Sequence, residues 1–276
     1  MRLPVAIAAC AVAMSAAGAA NAASVEIKDA VARVVVIPED RADVKVEILT
    51  THPDLPLQVR SAGGKWIIDG NLNRRIRDCN ATMGRTSVRV ANLGEVAYDA
   101  MPQVVVRTPR DVRLTAGGAV FGSVGKSASL DFANAGCGDW TLANVTGKLS
   151  VSEAGSGDVN TGAAGEAVIQ IAGSGDVRTQ AVSGALEVSV AGSGDVGVAS
   201  VSGPAKVRVA GSGDVRIAAG RAQRMDVTVA GSGDVRMDGE VGDLDARIVG
   251  SGDVRVRKVT GAVKKSVMGS GGVTIG

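Results

Sequence analysis

The residues of this sequence that could do chemistry are the aspartates of one repeated tetrapeptide, Gly-Ser-Gly-Asp. It occurs six times without variation, and successive copies begin 18 to 20 residues apart. If the copies stack, their carboxylates form one column about 5 Å apart, where like charges repel unless something neutralises them. The aspartates are Asp158, Asp176, Asp195, Asp214, Asp234 and Asp253, and the variant Gly-Cys-Gly-Asp adds Asp139.

Three arrangements would neutralise this column. Each aspartate could accept backbone N–H groups of the glycine turn as a structural cap, and the sequence favours this reading. Each could instead pair with an arginine two residues further on. Calcium between the six repeated carboxylates is the third alternative, by analogy with nonapeptide β-rolls, although the repeat here is about twice as long. The arginines of the second alternative are Arg178, Arg216, Arg236 and Arg255.

Nothing else in the sequence has the pattern of a catalytic or cofactor site. It contains no Ser/His/Asp set, zinc-ligand spacing, phosphate loop or aromatic RNA platform. The single histidine, His52, lies in a proline-bounded loop and is expected at the surface. The net charge of +2 gives no argument for nucleic acid as a partner. We therefore expect no catalytic residues, no cofactor and no nucleic acid.

A fixed period near 19 residues is typical of a repeat protein whose units stack. In the unit Asp176–Gly192, apolar and polar residues alternate on both sides of Gly184, which predicts strand, turn, strand and Gly-rich turn. Aromatic residues are 2% of the chain, which suits a narrow aliphatic interior. We predict an all-β fold, a right-handed parallel β-helix with about 19 residues per coil. A row of antiparallel hairpins is the disfavoured alternative.

Two glycines per turn predict positions with positive φ, or backbone too crowded for a Cβ atom. The serine between them is expected to hydrogen-bond within its column. The structural glycines are Gly155, Gly157, Gly173, Gly175, Gly192, Gly194, Gly211, Gly213, Gly231, Gly233, Gly250 and Gly252.

The repeat is not visible from Ala23 to about residue 111, which we assign to an N-terminal β region or cap, with the solenoid at 112–276. Strands are predicted within this region at 31–37, 44–49, 65–68, 88–90 and 104–107, and loops at 51–57 and 70–83. At the other end, Lys265 stands where the repeat has an inward valine. An inward charge on a terminal strand discourages further strand addition, so we interpret this unit as a degenerate cap.

The first 22 residues have the features of a secretory signal peptide. Arg2 supplies the positive start, an apolar stretch follows, and Ala20-Asn21-Ala22 forms a small-x-small cleavage site. A lipobox ending at Cys10 is the alternative. No later segment is apolar enough to span a membrane. The sequence therefore predicts an exported protein, in the periplasm or at the cell surface.

Cys79 and Cys137 remain after signal removal. In an oxidising compartment an isolated pair is expected to form one disulfide, and free buried thiols are the alternative. The bridge would pin the N-terminal region to the first regular coil.

The Gly-Ser-Gly-Asp-Val turns, with Val-x-Gly-x-Leu-x-Val between them, resemble the bacterial family of auto-transporter adhesin head GIN domains. The likeness covers about 112–276, and the turn at Gly136 that precedes Trp140 is similar to a variant of the same motif. The resemblance implies an envelope β-helix with an adhesin role and no catalytic residues. We expect a non-enzymatic protein whose regular face binds an envelope glycan or protein. A polysaccharide-active lyase or hydrolase and a calcium-stabilised scaffold are the alternatives.

Overall fold

A computed structural model describes residues 23–82 and 85–276 of the chain. The fold is all-β, as predicted, with 69% of its residues in strands. The signal peptide, its cleavage site and the alternative lipobox at Cys10 lie outside the described residues. The strands are β1 (Ala23–Pro38), β2 (Lys45–Thr50), β3 (Gln58–Ala62), β4 (Lys65–Asp69), β5 (Ile76–Thr82), β6 (Arg85–Val90), β7 (Gly94–Ala97), β8 (Gln103–Thr108), β9 (Asp111–Val124), β10 (Ser129–Gly136), β11 (Trp140–Leu142), β12 (Val145–Glu153), β13 (Val159–Thr161), β14 (Ala164–Ile171), β15 (Val177–Val182), β16 (Leu186–Gly192), β17 (Val196–Val201), β18 (Ala205–Gly211), β19 (Val215–Ile217), β20 (Arg221–Gly231), β21 (Val235–Gly250), β22 (Val254–Val259), β23 (Val263–Gly269) and β24 (Val273–Ile275).

The strands stack as about nine parallel coils of about 19 residues, so the predicted β-solenoid is confirmed. Ladder 1 joins β10, β12, β14, β16, β18, β20 and β23 with parts of β9 and β21. Ladder 2 joins β11, β13, β15, β17, β19, β22 and β24 with the remaining parts of β9 and β21. A short ladder 3, which the sequence did not predict, pairs Val145, Ala164, Val182 and Val201 in turn.

The core consists of inward columns that run along the solenoid. Val177, Val196, Val215 and Val235 pair in register on successive coils, and all four are buried. Side chains alternate between the two faces of each strand, so the residue that follows each of these valines in its strand points outward. Burial of one such side chain contributes about 1.5–3 kcal/mol relative to exposure, which explains why the strand pattern repeats from coil to coil.

One aromatic pair interrupts the aliphatic core near its N-terminal end. The rings of Phe132 and Trp140 lie with their centroids 5.0 Å apart, and both are buried. Gly122 occupies the inward position of the neighbouring coil, where a Cβ atom would lie 2.5 Å from the Trp140 ring. The absence of a side chain at Gly122 therefore makes room for the indole.

The solenoid begins earlier than the repeat motif does. β1 pairs in parallel with β9 on one side and with β4 and β8 on the other. β3 and β2 then pair antiparallel with β4 and β8, and cover the N-terminal ends of ladders 1 and 2. β1 thus continues the ladders of the repeat region into the N-terminal region. The division into 23–111 and 112–276 stays a prediction.

A separate antiparallel sheet of β5, β6 and β7 packs against the outside of the first coils. Its buried residues, which include Val88 and Val90, form a second cluster with Leu72 and with Phe121 of β9. The loop predicted over 70–83 is wrong in its second half, because Ile76–Thr82 is strand β5. Pairing with β6 holds this polar segment extended, and no apolar alternation marks it in the sequence.

Lys265 lies in the inward column, in register with Ala246 of the preceding coil, as its place in the repeat predicts. Its strand, β23, is exposed along its whole length. A lysine at this position adds a charge to the edge of ladder 1, which is a known obstacle to edge-to-edge pairing.

Candidate functional site

The repeated corner between ladders 1 and 2 is built from glycines in contact with glycines. Gly192 and Gly211 have φ of 152° and 144°, a conformation that favours glycine. Both glycines of the motif are also crowded: a Cβ atom on Gly192 would overlap the carbonyl oxygen of Gly173, and one on Gly213 would overlap that of Gly194. Crowding therefore applies to both positions of the pair, and positive φ to the first glycine of the last four copies of the tetrapeptide.

Backbone hydrogen bonds lock each corner to the one before it. The carbonyl oxygen of Gly173 accepts the N–H groups of both Ser193 and Gly194, at 3.1 and 3.3 Å, and later corners repeat this arrangement. The motif serine thus bonds within its column through its backbone N–H group. The side chains of Ser193 and Ser212 are exposed.

The aspartates form a second hydrogen-bonded column beside the glycines. In each case Oδ1 accepts the backbone N–H group of the aspartate on the next coil, for example Asp214 from Asp234 at 2.8 Å. The column runs from Asp139 and ends where Gly272 donates to Asp253 at 2.8 Å. The carboxylate is thus an acceptor, as the cap interpretation expects, but its donor belongs to the next coil rather than to its own glycine turn.

Arginine pairing differs from coil to coil. Arg178 lies 2.8 Å from Asp176 and 3.6 Å from Asp158, which is the predicted pairing. Arg216 and Arg236 instead lie 2.7 and 2.6 Å from Asp238. The Asp238 side chain lies beside ladder 2 on the same surface. It therefore reaches the two guanidinium groups that the motif aspartates were expected to bind.

Three successive coils present the same pair of charges on ladder 2. Arg216, Arg236 and Arg255 are in register with one another. With Asp214, Asp234 and Asp253 they line a shallow groove of about 230 Å³. We call these six residues the Asp–Arg face. Parallel strands lie about 4.8 Å apart, so the face offers one carboxylate and one guanidinium at each such step.

The remaining residues singled out from the sequence do not join this face. His52 is in a loop, where its Nδ1 accepts the N–H group of Asp54 at 3.2 Å. Within residues 23–82 and 85–276 no group of three or more His, Cys, Asp or Glu side chains is arranged to hold a metal ion. The calcium site at the six aspartates stays a prediction. Cys79 and Cys137 form a disulfide with their Cα atoms 5.9 Å apart.

A buried acidic residue was missed in the sequence. Glu153 faces the core, where its Oε2 accepts the Asn134 amide at 2.8 Å and its Oε1 accepts the Gly155 N–H group at 2.9 Å. Burial raises the pKa of Glu153 to about 7; the two hydrogen bonds oppose this shift, and the carboxylates of Asp158 and Asp139 add to it. Alignment of the units on their glycines would have revealed it, because later units have Val or Ile at this position.

The fold and the repeated corner define this chain as a parallel β-solenoid repeat protein. A family model described as "Putative auto-transporter adhesin, head GIN domain" matches residues 33–219 and 183–276. The chain belongs to this family, and the match starts well before residue 112, where the resemblance in the sequence began. No curated protein matches the chain.

Solved structures with the same fold come from Parabacteroides distasonis ATCC 8503. One is a "Putative lipid binding protein", with TM-score 0.56 and 21% identity over 92% of each chain. Another is a "putative adhesin", with TM-score 0.54 and 16% identity over 91% of this chain and 92% of that one. At such identities the likeness concerns the fold alone.

The family description bears on location. An adhesin head domain suggests an envelope or surface protein. None of the helices among the described residues has the length and apolar character that crossing a membrane requires.

Proposed function

We propose that this chain is a non-enzymatic, adhesin-like protein of the cell envelope, and that its Asp–Arg face binds a repetitive envelope glycan. The observation that carries the proposal is the register of Arg216, Arg236 and Arg255 on three consecutive coils. A ligand with its own repeat can make equivalent contacts at each coil, so weak single contacts add up along the polymer.

The chemistry of the face suits hydroxyl-rich or carboxylate-bearing sugars. Each aspartate uses Oδ1 for a backbone N–H group, as Asp234 does for Asp253, so Oδ2 remains for a ligand. Guanidinium groups donate several hydrogen bonds in a fixed plane, and they match carboxylates bidentately. Arg255 forms no ion pair with any described carboxylate, whereas Arg216 and Arg236 both pair with Asp238, so the Arg255 guanidinium is not engaged by a described acidic residue.

The enzymatic alternative is less well supported by the same groove. Glycoside cleavage needs two carboxyl groups with distinct roles, one acid and one base or nucleophile. The groove carboxylates are copies of one another, and each accepts a backbone N–H group from the next coil. Export rests on the signal-peptide features of residues 1–22, and either the periplasm or the cell surface is consistent with the proposal.

A glycan array tests the proposal with a matched pair of variants. Arg216→Gln/Arg236→Gln/Arg255→Gln removes three charges from the Asp–Arg face. Arg208→Gln/Arg224→Gln/Arg247→Gln removes three charges from ladder 1, where these arginines pair with Glu187, Asp226 and Asp245. We expect wild type and the control to bind the same glycans and the face variant to lose them.

Release of shortened products from any array glycan would contradict the non-enzymatic assignment. Equal binding by the face variant and the control would contradict the assignment of the face. Chelator treatment tests the calcium alternative separately, since a lower melting temperature after metal removal would favour a calcium-stabilised scaffold over a simple solenoid.

A further inference from the structure

A second group of arginines lies far from the Asp–Arg face and lacks acidic partners. Most described arginines form ion pairs, as Arg41, Arg110 and Arg224 do. No carboxylate in the described part of the chain lies within ion-pair distance of Arg74, Arg75 or Arg77, although all three are exposed. Three adjacent exposed cations without counter-charges repel one another weakly, and a bound anion would relieve that repulsion.

These arginines share one open groove of about 600 Å³ on the N-terminal side of the molecule. The 3₁₀ helix Asn73–Arg75 and the start of β5 form one wall, and the turn after β6 forms the other. Besides the arginines, the groove is lined by Asn71, Leu72, Asn73, Ala91 and Asn92. Guanidinium and amide groups therefore converge on one concave surface.

Backbone contacts fix the two walls relative to each other. The N–H group of Leu72, whose side chain is buried, donates to the backbone carbonyl of Asp29 at 2.9 Å. The N–H group of Ala91 donates to the backbone carbonyl of Arg75 at 2.7 Å. The Arg75 guanidinium donates back to the Ala91 carbonyl at 3.3 Å. Arg75 therefore closes the groove, whereas Arg74 and Arg77 are available to a ligand.

The disulfide fixes the β5 wall of the groove covalently to the solenoid. Cys79 lies two residues after Arg77 on β5 and is joined to Cys137 of the first motif corner. Asp69, which precedes the groove wall in the chain, is already held by Lys28 at 3.0 Å and Arg60 at 3.4 Å. Asp29 and Asp78 also lie beside the walls, and neither forms an ion pair with a described arginine of the groove.

We propose that the Arg74–Arg77 groove binds a phosphate group carried on a sugar. Guanidinium groups bind phosphate through paired, charge-assisted hydrogen bonds. The side-chain amides of Asn71, Asn73 and Asn92 both donate and accept, which is what neighbouring sugar hydroxyls require. The inference does not depend on the Asp–Arg face, because the two surfaces share no residue.

Calorimetric titration at low salt with glucose 1,6-bisphosphate, glucose and inorganic phosphate tests this inference. We expect the bisphosphate to bind, glucose not to bind, and phosphate to bind more weakly than the bisphosphate. Arg74→Gln/Arg77→Gln should weaken binding at least tenfold, and Arg224→Gln/Arg247→Gln, which removes the same charge elsewhere, should not. Binding should weaken as salt rises, since exposed charges are screened.

Three results would overturn the proposal. One is no binding of the bisphosphate by the wild-type chain. Another is equal affinity for inorganic phosphate and the bisphosphate, which would mean that the sugar is not recognised. The last is co-sedimentation with phosphatidylglycerol vesicles without any binding of the bisphosphate, which would assign the groove to a lipid surface. Thermal melts of both double variants exclude misfolding as the cause of lost binding.

Discussion

The Oδ1 atom of Asp234 accepts the backbone N–H group of Asp253, one coil further on, at 2.7 Å. The same bond recurs from Asp139 onwards, so the carboxylate that looks most reactive in the sequence is also a structural acceptor. Charge-assisted bonds of this type are stronger than neutral ones. The column therefore contributes to the stacking of the corners. It leaves Oδ2 of Asp214, Asp234 and Asp253 without a partner among the described residues, whereas Oδ2 of Asp176 is paired with Arg178.

Loss of one acceptor in this column should destabilise the solenoid. Asp214→Ala leaves the N–H group of Asp234 without its acceptor, and we expect about 1–2 kcal/mol less stability in urea unfolding. Asp214→Asn keeps an acceptor oxygen but removes the charge, so it should lose less stability than Asp214→Ala. Equal destabilisation by both variants would indicate that charge, rather than the hydrogen bond, stabilises the corner.

Glu153 should make stability depend on pH. Its folded pKa of about 7 lies above the ordinary value of 4.5, because burial disfavours the charged form. The folded state therefore holds a proton that the unfolded state has lost, and stability should fall as pH rises from about 4.5 to 7. At about 1.4 kcal/mol per pKa unit, the loss of stability is at most about 3–4 kcal/mol.

The test is urea unfolding of Glu153→Gln and wild type across this pH range. Most of this decline should be absent in the variant, and Glu166→Gln, at an exposed glutamate on the next coil, should keep the decline. An unchanged slope in Glu153→Gln would show that other groups produce the pH dependence.

Substitution of a corner glycine by alanine should cost much more stability than the same substitution within a strand. In Gly213→Ala the new Cβ atom overlaps the carbonyl oxygen of Gly194, so we expect a loss of about 2–3 kcal/mol. In Gly197→Ala the new atom lies 3.7 Å from Cγ of Arg178, an ordinary contact, and no loss is expected. Thermal melts compare the two, and similar melting temperatures would argue against tight stacking of the corners.

The disulfide should matter most for the small antiparallel sheet. Cys79→Ser/Cys137→Ser frees the sheet from the first corner, with an expected cost of about 2–4 kcal/mol. Limited proteolysis should then cut the segment 70–97 first, while the repeat region stays intact. Protection of that segment equal to wild type would show that its apolar contacts with Phe121 suffice to hold it.

The repeat determined how much of this molecule could be predicted. Identical corners at a constant interval require coils in register, so ladders 1 and 2 and the place of Lys265 follow from the sequence. The predicted strands at 31–37, 65–68, 88–90 and 104–107 fall within observed strands, and the one at 44–49 begins one residue before β2. The family resemblance was confirmed as well.

The missed features depend on contacts between distant segments. Pairing with β6 holds the polar strand β5 extended, and the local sequence carries no signal for this pairing. The pairing of Arg216 with Asp238 likewise depends on two neighbouring coils. The donor to each aspartate could not be inferred, because coil-to-coil offsets of backbone atoms are set by packing rather than by residue type.

The affinity of a bound glycan as a function of its length tests the functional account most directly. Oligosaccharides of increasing length, taken from a polymer that the chain binds, should bind at least tenfold more tightly as they come to span the three coils of Arg216, Arg236 and Arg255. Arg216→Gln/Arg236→Gln/Arg255→Gln should abolish this gain. Affinity that does not change with length, or a gain that survives in the triple variant, would contradict a repetitive binding face.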